Sequence, residues 1–134
     1  MFNLIKGSVK VDYIPKTAST AIKNGAIISS SSGQAIPGTS TTTSHVGICI
    51  REVGSTDADY ASTTEIPYII PSQDAIFEAD ATGLTAAKVD TTMDLTDSLT
   101  VNGAADTHHA VTLVKYISAT KGWFRINSIK GYKA

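Results

Sequence analysis

The chain has 134 residues, a length that fits one domain with one hydrophobic core and leaves two cores unexpected. Apolar residues make up 42% and charged residues 17%, a balance that excludes an intrinsically disordered chain. A net charge of −1 argues against general nucleic-acid binding, and no apolar run approaches the roughly 18 residues of a membrane span, so neither nucleic acid nor membrane is an expected partner.

The opening Met1-Phe2-Asn3-Leu4-Ile5-Lys6-Gly7 lacks the basic segment and apolar run of a signal peptide. The chain is therefore expected to be made in a cytoplasm and not exported by the general secretory route. With Phe2, Leu4 and Ile5 and no turn signal, residues 1–7 read either as a first strand or as an N-terminal arm that adds to a neighbour's sheet. Val9, Val11 and Tyr13 then alternate with Lys10 and Asp12 until Pro15 ends the run. Ala26-Ile27-Ile28 follows the turn Asn24-Gly25 as a second short strand. Residues 29–44 are mostly Ser, Thr, Gly, Ala and Pro, too polar to offset their ordering entropy, and predict a loop with at most a short strand at Gln34-Ala35-Ile36.

In His45 to Val53, Val46, Ile48 and Ile50 alternate with Gly47, Cys49 and Arg51, the pattern of a central strand. The lone cysteine, Cys49, has no disulfide partner in the chain and sits where a buried, inert thiol fits. Glu65 to Pro71 is apolar but carries Pro67 and Pro71, which predicts an edge strand or a short one. Ala75 to Ala81 sets Phe77 and Ala79 against Glu78 and Asp80, and Thr85 to Val89 predicts about one helical turn. Asn102-Gly103 is a strong hairpin signal. Ala110 to Ser118 reads as a strand buried on both faces, and after a turn at Thr120-Lys121-Gly122 the run Trp123 to Asn127 pairs back. The fold class is therefore all-β over 1–134: a small barrel or sandwich of about six to eight mainly antiparallel strands, with at most one short helical turn.

No specific catalytic or cofactor signature is present: the sequence lacks Gly-x-Ser-x-Gly, the P-loop, His-Glu-x-x-His and Gly-x-Gly-x-x-Gly. His108 and His109 are adjacent, which points their side chains to opposite faces of a strand and suits loop residues better than a metal pair. Asp57 with Asp59, and Asp90 with Asp94 and Asp97, read as solvated surface charges. No enzyme activity, cofactor or metal is expected. Of the 12 acidic residues 11 lie between Glu52 and Asp106, flanked by basic ends, which places acidic middle strands beside basic terminal strands within the fold or opposed faces between identical subunits. Trp123 and Phe124 must face opposite sides of their strand; either both are covered within the domain, or the outward one, flanked by Arg125, anchors a protein interface. Candidate partner-binding residues are Phe2, Leu4, Trp123 and Arg125.

The strings Thr17 to Ile28 and His45 to Ile50, with Ile76 to Asp80 and Ala119 to Ile126 after them, resemble the decoration or cement proteins of tailed-bacteriophage capsids. The resemblance runs loosely over Val9 to Ile126. It implies a structural virion protein on the capsid surface, assembled in the host cytoplasm, that binds the major capsid protein and itself, often as a trimer. A β module of a phage tail, fibre or baseplate, or a carbohydrate-binding domain for host-surface recognition, is the alternative expectation.

Overall fold

The computed structural model describes residues 1–129. Among these the strands are β1 (Asn3–Lys6), β2 (Val9–Pro15), β3 (Ile27–Ser31), β4 (Gln34–Pro37), β5 (Gly47–Cys49), β6 (Glu65–Pro71), β7 (Ile76–Thr82), β8 (Thr92–Leu95), β9 (Thr100–Asn102), β10 (Val111–Ser118) and β11 (Lys121–Ile126). A single 3₁₀ turn at Ala86–Lys88 is the helical component of the described chain. The class is all-β, as the alternation predicts. The strands outnumber the six to eight expected because several are only three or four residues long and carry too little periodicity to be read singly.

Two sheets share the chain. In the first, the order is β1-β7-β11-β10-β8-β9, and β9 returns to pair in parallel with β7, Ala81 opposite Val101. The strands β7, β11, β10, β8 and β9 thus close into a five-stranded barrel, while β1 occupies the remaining length of the β7 edge, with Leu4 opposite Phe77. A barrel this narrow has room only for side chains. Phe77, Met93, Leu95, Val101, Leu113 and Phe124 fill it. Alternation puts Glu78 and Asp80 of β7, and Lys121, Trp123 and Arg125 of β11, on the outer surface.

The second sheet runs β2-β6-β5-β3-β4. It curls far enough for a parallel bridge to form between Lys16 and Ala35, so β4 meets the end of β2, but among the described residues Val9 to Tyr13 has no second hydrogen-bonded strand beside it. Ile14, Ile22, Ile28, Val46, Val53 and Ile66 form its own apolar cluster. Buried side chains therefore fall into two clusters where one core was expected, and the barrel's cluster also takes in Ile27 and Ile48 from the other face of the second sheet.

Four local expectations also change. Residues 29–44 do not form one loop: Ser30 pairs with Ala35 and Ser31 with Gln34 across a tight turn in which Ser32 and Gly33 both take positive φ. That is the backbone a two-residue hairpin demands, and the sheet edge at Ile28 and Ala35 supplies the burial the polar tract lacks. The Pro-containing β6 lies inside its sheet, between β2 and β5. Its prolines are tolerated because β5 ends at Cys49, so no strand residue beyond that point requires the N–H that Pro67 lacks, while the Pro67 C=O still accepts from Ile50 N–H. Asn102-Gly103 does not join paired strands, because β8 lies between β9 and β10 and pairs with both. Finally, the outer half of β10 extends past β8, which leaves Tyr116 and Ile117 exposed instead of buried on both faces.

Candidate functional surface

The four residues singled out from sequence do not converge. Phe2 is 3% exposed and belongs to the barrel core, its backbone N–H donating to the Gly25 C=O at 2.8 Å. This corrects its assignment to a partner-binding patch: residues 1–7 lie against their own barrel through β1, and the ring is covered there. Leu4, on the same strand, remains 40% exposed, with Ile5 beside it.

Trp123 does lie on the outside, but it is held from within the chain. Its indole N–H donates to Glu78 at 3.2 Å, and the Lys115 ammonium sits 4.6 Å from the ring centroid. Arg125, exposed one pleat along, borders a cleft of about 400 Å³ with Pro71, Gln73, Thr112, Asn127 and Ser128. The charge segregation is used partly inside the fold. Acidic β7 lies between β1 and β11, where Lys121 approaches Glu78 at 3.6 Å and Asp80 at 3.8 Å, and the N-terminal ammonium approaches Asp80 at 3.8 Å.

The polar cluster nearest to a chemical site surrounds Asp94 of β8, which is 4% exposed and so corrects its reading as a solvated charge. Its carboxylate accepts the N–H groups of Thr107 (3.0 Å), His108 (2.6 Å) and His109 (3.1 Å), with His108 Nδ1 at 3.2 Å. Burial by itself raises the carboxyl pKa, but the His108 and Thr107 N–H groups, the His108 ring and the His109 N–H outweigh it and hold the pKa below the ordinary value. The cluster fixes the loop between β9 and β10.

Beside it, Asp106 Oδ1 accepts the Thr92 hydroxyl at 2.6 Å and lies 2.6 Å from His109 Nδ1, which is itself 3.0 Å from Thr92 Oγ1. Threonine, histidine and aspartate are thus together, yet both partners meet the same ring nitrogen. A relay needs the base to take the hydroxyl proton on one nitrogen while the acid holds the other, so this trio is not wired as a nucleophile. Among the described residues no group of three or more His, Cys, Asp and Glu side chains is placed to hold a metal ion.

Two buried polar residues escaped sequence reasoning. Lys16 is wholly buried, and its ammonium donates to the carbonyls of Thr17 (2.9 Å), Tyr60 (2.7 Å) and Ser62 (3.0 Å), which ties the 57–62 loop to the end of β2. His45, also wholly buried, reaches the Asn127 C=O through Nδ1 at 2.9 Å. Burial lowers its pKa, and the bond to Asn127 offsets part of that. No motif marks either residue, because their partners are backbone carbonyls distant in sequence. Cys49 is buried with its thiol on the Arg51 C=O, and burial raises its pKa, which fits an inert side chain.

What stands out on the surface is apolar and lies on strands. Val11 and Tyr13 of β2 are each 59% exposed, and Ile50, which follows β5, is 43% exposed. The register places Tyr13 opposite Pro67, and Ile50 donates its N–H to the Pro67 C=O on the far side, so Tyr13, Pro67 and Ile50 form one row across the sheet. Val11, opposite Ile69, lies in the next row of the same face, and that row continues to Ile48 in the buried core. Compared with known protein families and with curated proteins, the chain matches none.

Proposed function

We propose that this chain is a structural virion protein that decorates a phage capsid by binding the major capsid protein and further copies of itself. The observation that carries the reading is the exposed apolar face of the second sheet, where Val11, Tyr13 and Ile50 project from two adjacent rows and a monomer has no use for them. The paired strands of the second sheet hold that surface in place, and contacts along sheet edges need neither a pocket nor a reactive group. Leu4 and Ile5 on β1 and Arg125 on the outer wall give further contact points. The Lys115 ammonium sits against the Trp123 ring and Glu78 takes its N–H, so the one outer tryptophan is already engaged within the chain.

Purified protein mixed with undecorated capsids should sediment with them. A chain that stays wholly in the supernatant would refute the capsid role.

A further inference from the structure

We infer that β2 is a self-complementary edge that pairs antiparallel with β2 of a second copy about a two-fold axis through Val11. The inference names a surface for the self-association contained in the proposed function, and it is tested without any capsid.

The direction of the β2 backbone follows from its neighbours. Just before the strand the Ser72 N–H donates to the Ser8 C=O at 2.8 Å, and just after it the Lys16 N–H donates to the Thr64 C=O at 3.0 Å. Hydrogen-bonded pairs in an antiparallel ladder recur every second residue, so Ser8, Lys10, Asp12, Ile14 and Lys16 direct their backbone groups to the β6 side. The prolines agree: Pro67 and Pro71, which have no N–H, lie opposite Tyr13 and Val9. Val9, Val11 and Tyr13 therefore direct N–H and C=O away from β6. On that side the Thr17 N–H meets the Ala35 C=O at 3.1 Å, but no strand of the described chain extends alongside Val9 to Tyr13. The Tyr13 N–H is satisfied only by the carboxylate of its own neighbour Asp12, at 2.8 Å.

The side chains select the occupant. Pairing two copies through Val11 sets Val9 opposite Tyr13, Lys10 opposite Asp12 and Val11 opposite Val11, each heterotypic pair occurring twice. Both ends of the strand then gain a β-branched residue against an aromatic, and both charges meet an opposite charge. The odd residues form the hydrogen-bonded pairs. Lys10 and Asp12 fall at the non-bonded positions, where side chains approach most closely. A shift of the axis to Lys10 opposes two lysines, and a shift to Asp12 opposes two aspartates. Pairing also frees Asp12 from the Tyr13 N–H, which then donates across the axis to Val9 of the other copy. Such a two-fold contact makes a dimer, or links larger clusters, but does not by itself build a trimer.

The test uses the full chain alone, by analytical ultracentrifugation. Wild type should self-associate. Lys10→Asp and Asp12→Lys each create two like-charge pairs and should each weaken association on the order of tenfold or more, while an equimolar mixture of the two variants restores it. Both positions are exposed, so folding is expected to persist and is checked by circular dichroism. Val11→Cys should oxidise to a symmetric dimer, because directly opposed hydrogen-bonded residues have Cα atoms about 5.5 Å apart, within disulfide range. A monomeric wild type overturns the inference, as does an oligomer indifferent to both charge reversals or a mixture that does not recover. Failure to bind capsids would leave these results intact and would bear on the proposed function alone.

Discussion

Replacing Lys16 by methionine should destabilise the fold by about 3 kcal/mol, and two opposing effects decide the sign. Methionine keeps the volume and apolar contacts of the stem and removes an ammonium whose burial is costly, which on its own is stabilising. Against this, all three ammonium protons are committed, to the carbonyls of Thr17, Tyr60 and Ser62. A hydrogen bond to a charged group contributes about 1.5 to 3 kcal/mol, so three represent a gross loss of about 4.5 to 9 kcal/mol. Relief of the buried charge returns several kcal/mol of that. The loss prevails because Thr17 and Tyr60 are only partly exposed, so water does not fully replace the lost donor. With a urea slope near 2 kcal/mol/M, the unfolding midpoint should fall by about 1 to 2 M. Native-state hydrogen exchange should localise the damage, since the Ser19 N–H is held by the Tyr60 carbonyl at 2.9 Å and loses protection when the loop loosens. A Lys16→Met protein within about 0.5 kcal/mol of wild type would show that desolvation cancels the three bonds, and would refute the argument.

Asp94→Asn should cost about 1 to 2 kcal/mol, measured by urea unfolding at neutral pH: the amide oxygen can still accept at Oδ1, but without the charge that strengthens those bonds, and the NH2 takes the place of Oδ2, which accepts the Thr107 N–H and meets the His108 ring. The lowered pKa of Asp94 also contributes stability that is present above the unfolded carboxyl pKa and is lost as pH falls through the folded one; the variant should lack that part of the acid sensitivity. His45 acts in a higher window. Its folded pKa lies below the ordinary histidine value, so the unfolded chain binds the proton first, and stability complete above about pH 6.5 declines as pH falls below it. His45→Gln should flatten the midpoint between pH 7.5 and 5.5, conditions chosen from the pKa of about 6.5 for an unperturbed histidine; an unchanged slope would reject His45 as the cause. Gly47→Ala should destabilise by about 1 to 3 kcal/mol in the same assay, since a Cβ there would collide with the Ile69 carbonyl oxygen and lies 2.9 Å from the Tyr68 ring.

The sequence made the inward faces legible wherever a strand was long enough to alternate. Phe77 with Ala79, and Phe124 against Trp123, are placed as period two requires. It did not make strand order legible, and that is where readings failed. The hairpin signal at Asn102-Gly103 is a local preference, overridden when β8 inserts between the strands it would have joined. The Ser-rich tract reads as a loop by composition, yet Ser29 to Ser31 are strand residues because Ile27 and Ile28 begin the strand deep in the core. The candidate surface divided in the same way. Exposed Leu4 and Arg125 could be inferred from alternation, whereas the burial of Phe2 depends on β1 finding β7 some seventy positions later, as its pairing with Phe77 at Leu4 records. The Val11 and Tyr13 face was read as an ordinary alternating strand, since nothing in a single sequence tells which face of a strand lacks a partner.

The two sheets solve the problem of unpaired backbone differently, and the difference assigns the roles. In the barrel, β9 closes onto β7 in parallel, which removes the edge among the five barrel strands, leaves the short β1 open, and gives the outer wall charges such as Glu78, Asp80 and Lys121. In the second sheet β4 has four residues and meets the chain at Lys16, so β2 stays open along most of its length. An open edge carrying valine and tyrosine invites indiscriminate pairing, and edge charges are the usual deterrent. Here the deterrent alternates in sign, Lys10 then Asp12, with Val11 between them. A strand that lacks an acidic and a basic residue two positions apart in the matching order leaves at least one of those charges without an opposite partner. An antiparallel copy of β2 is one strand that matches both, so in the inferred pairing the same two side chains that discourage aggregation would favour the chain's own duplicate.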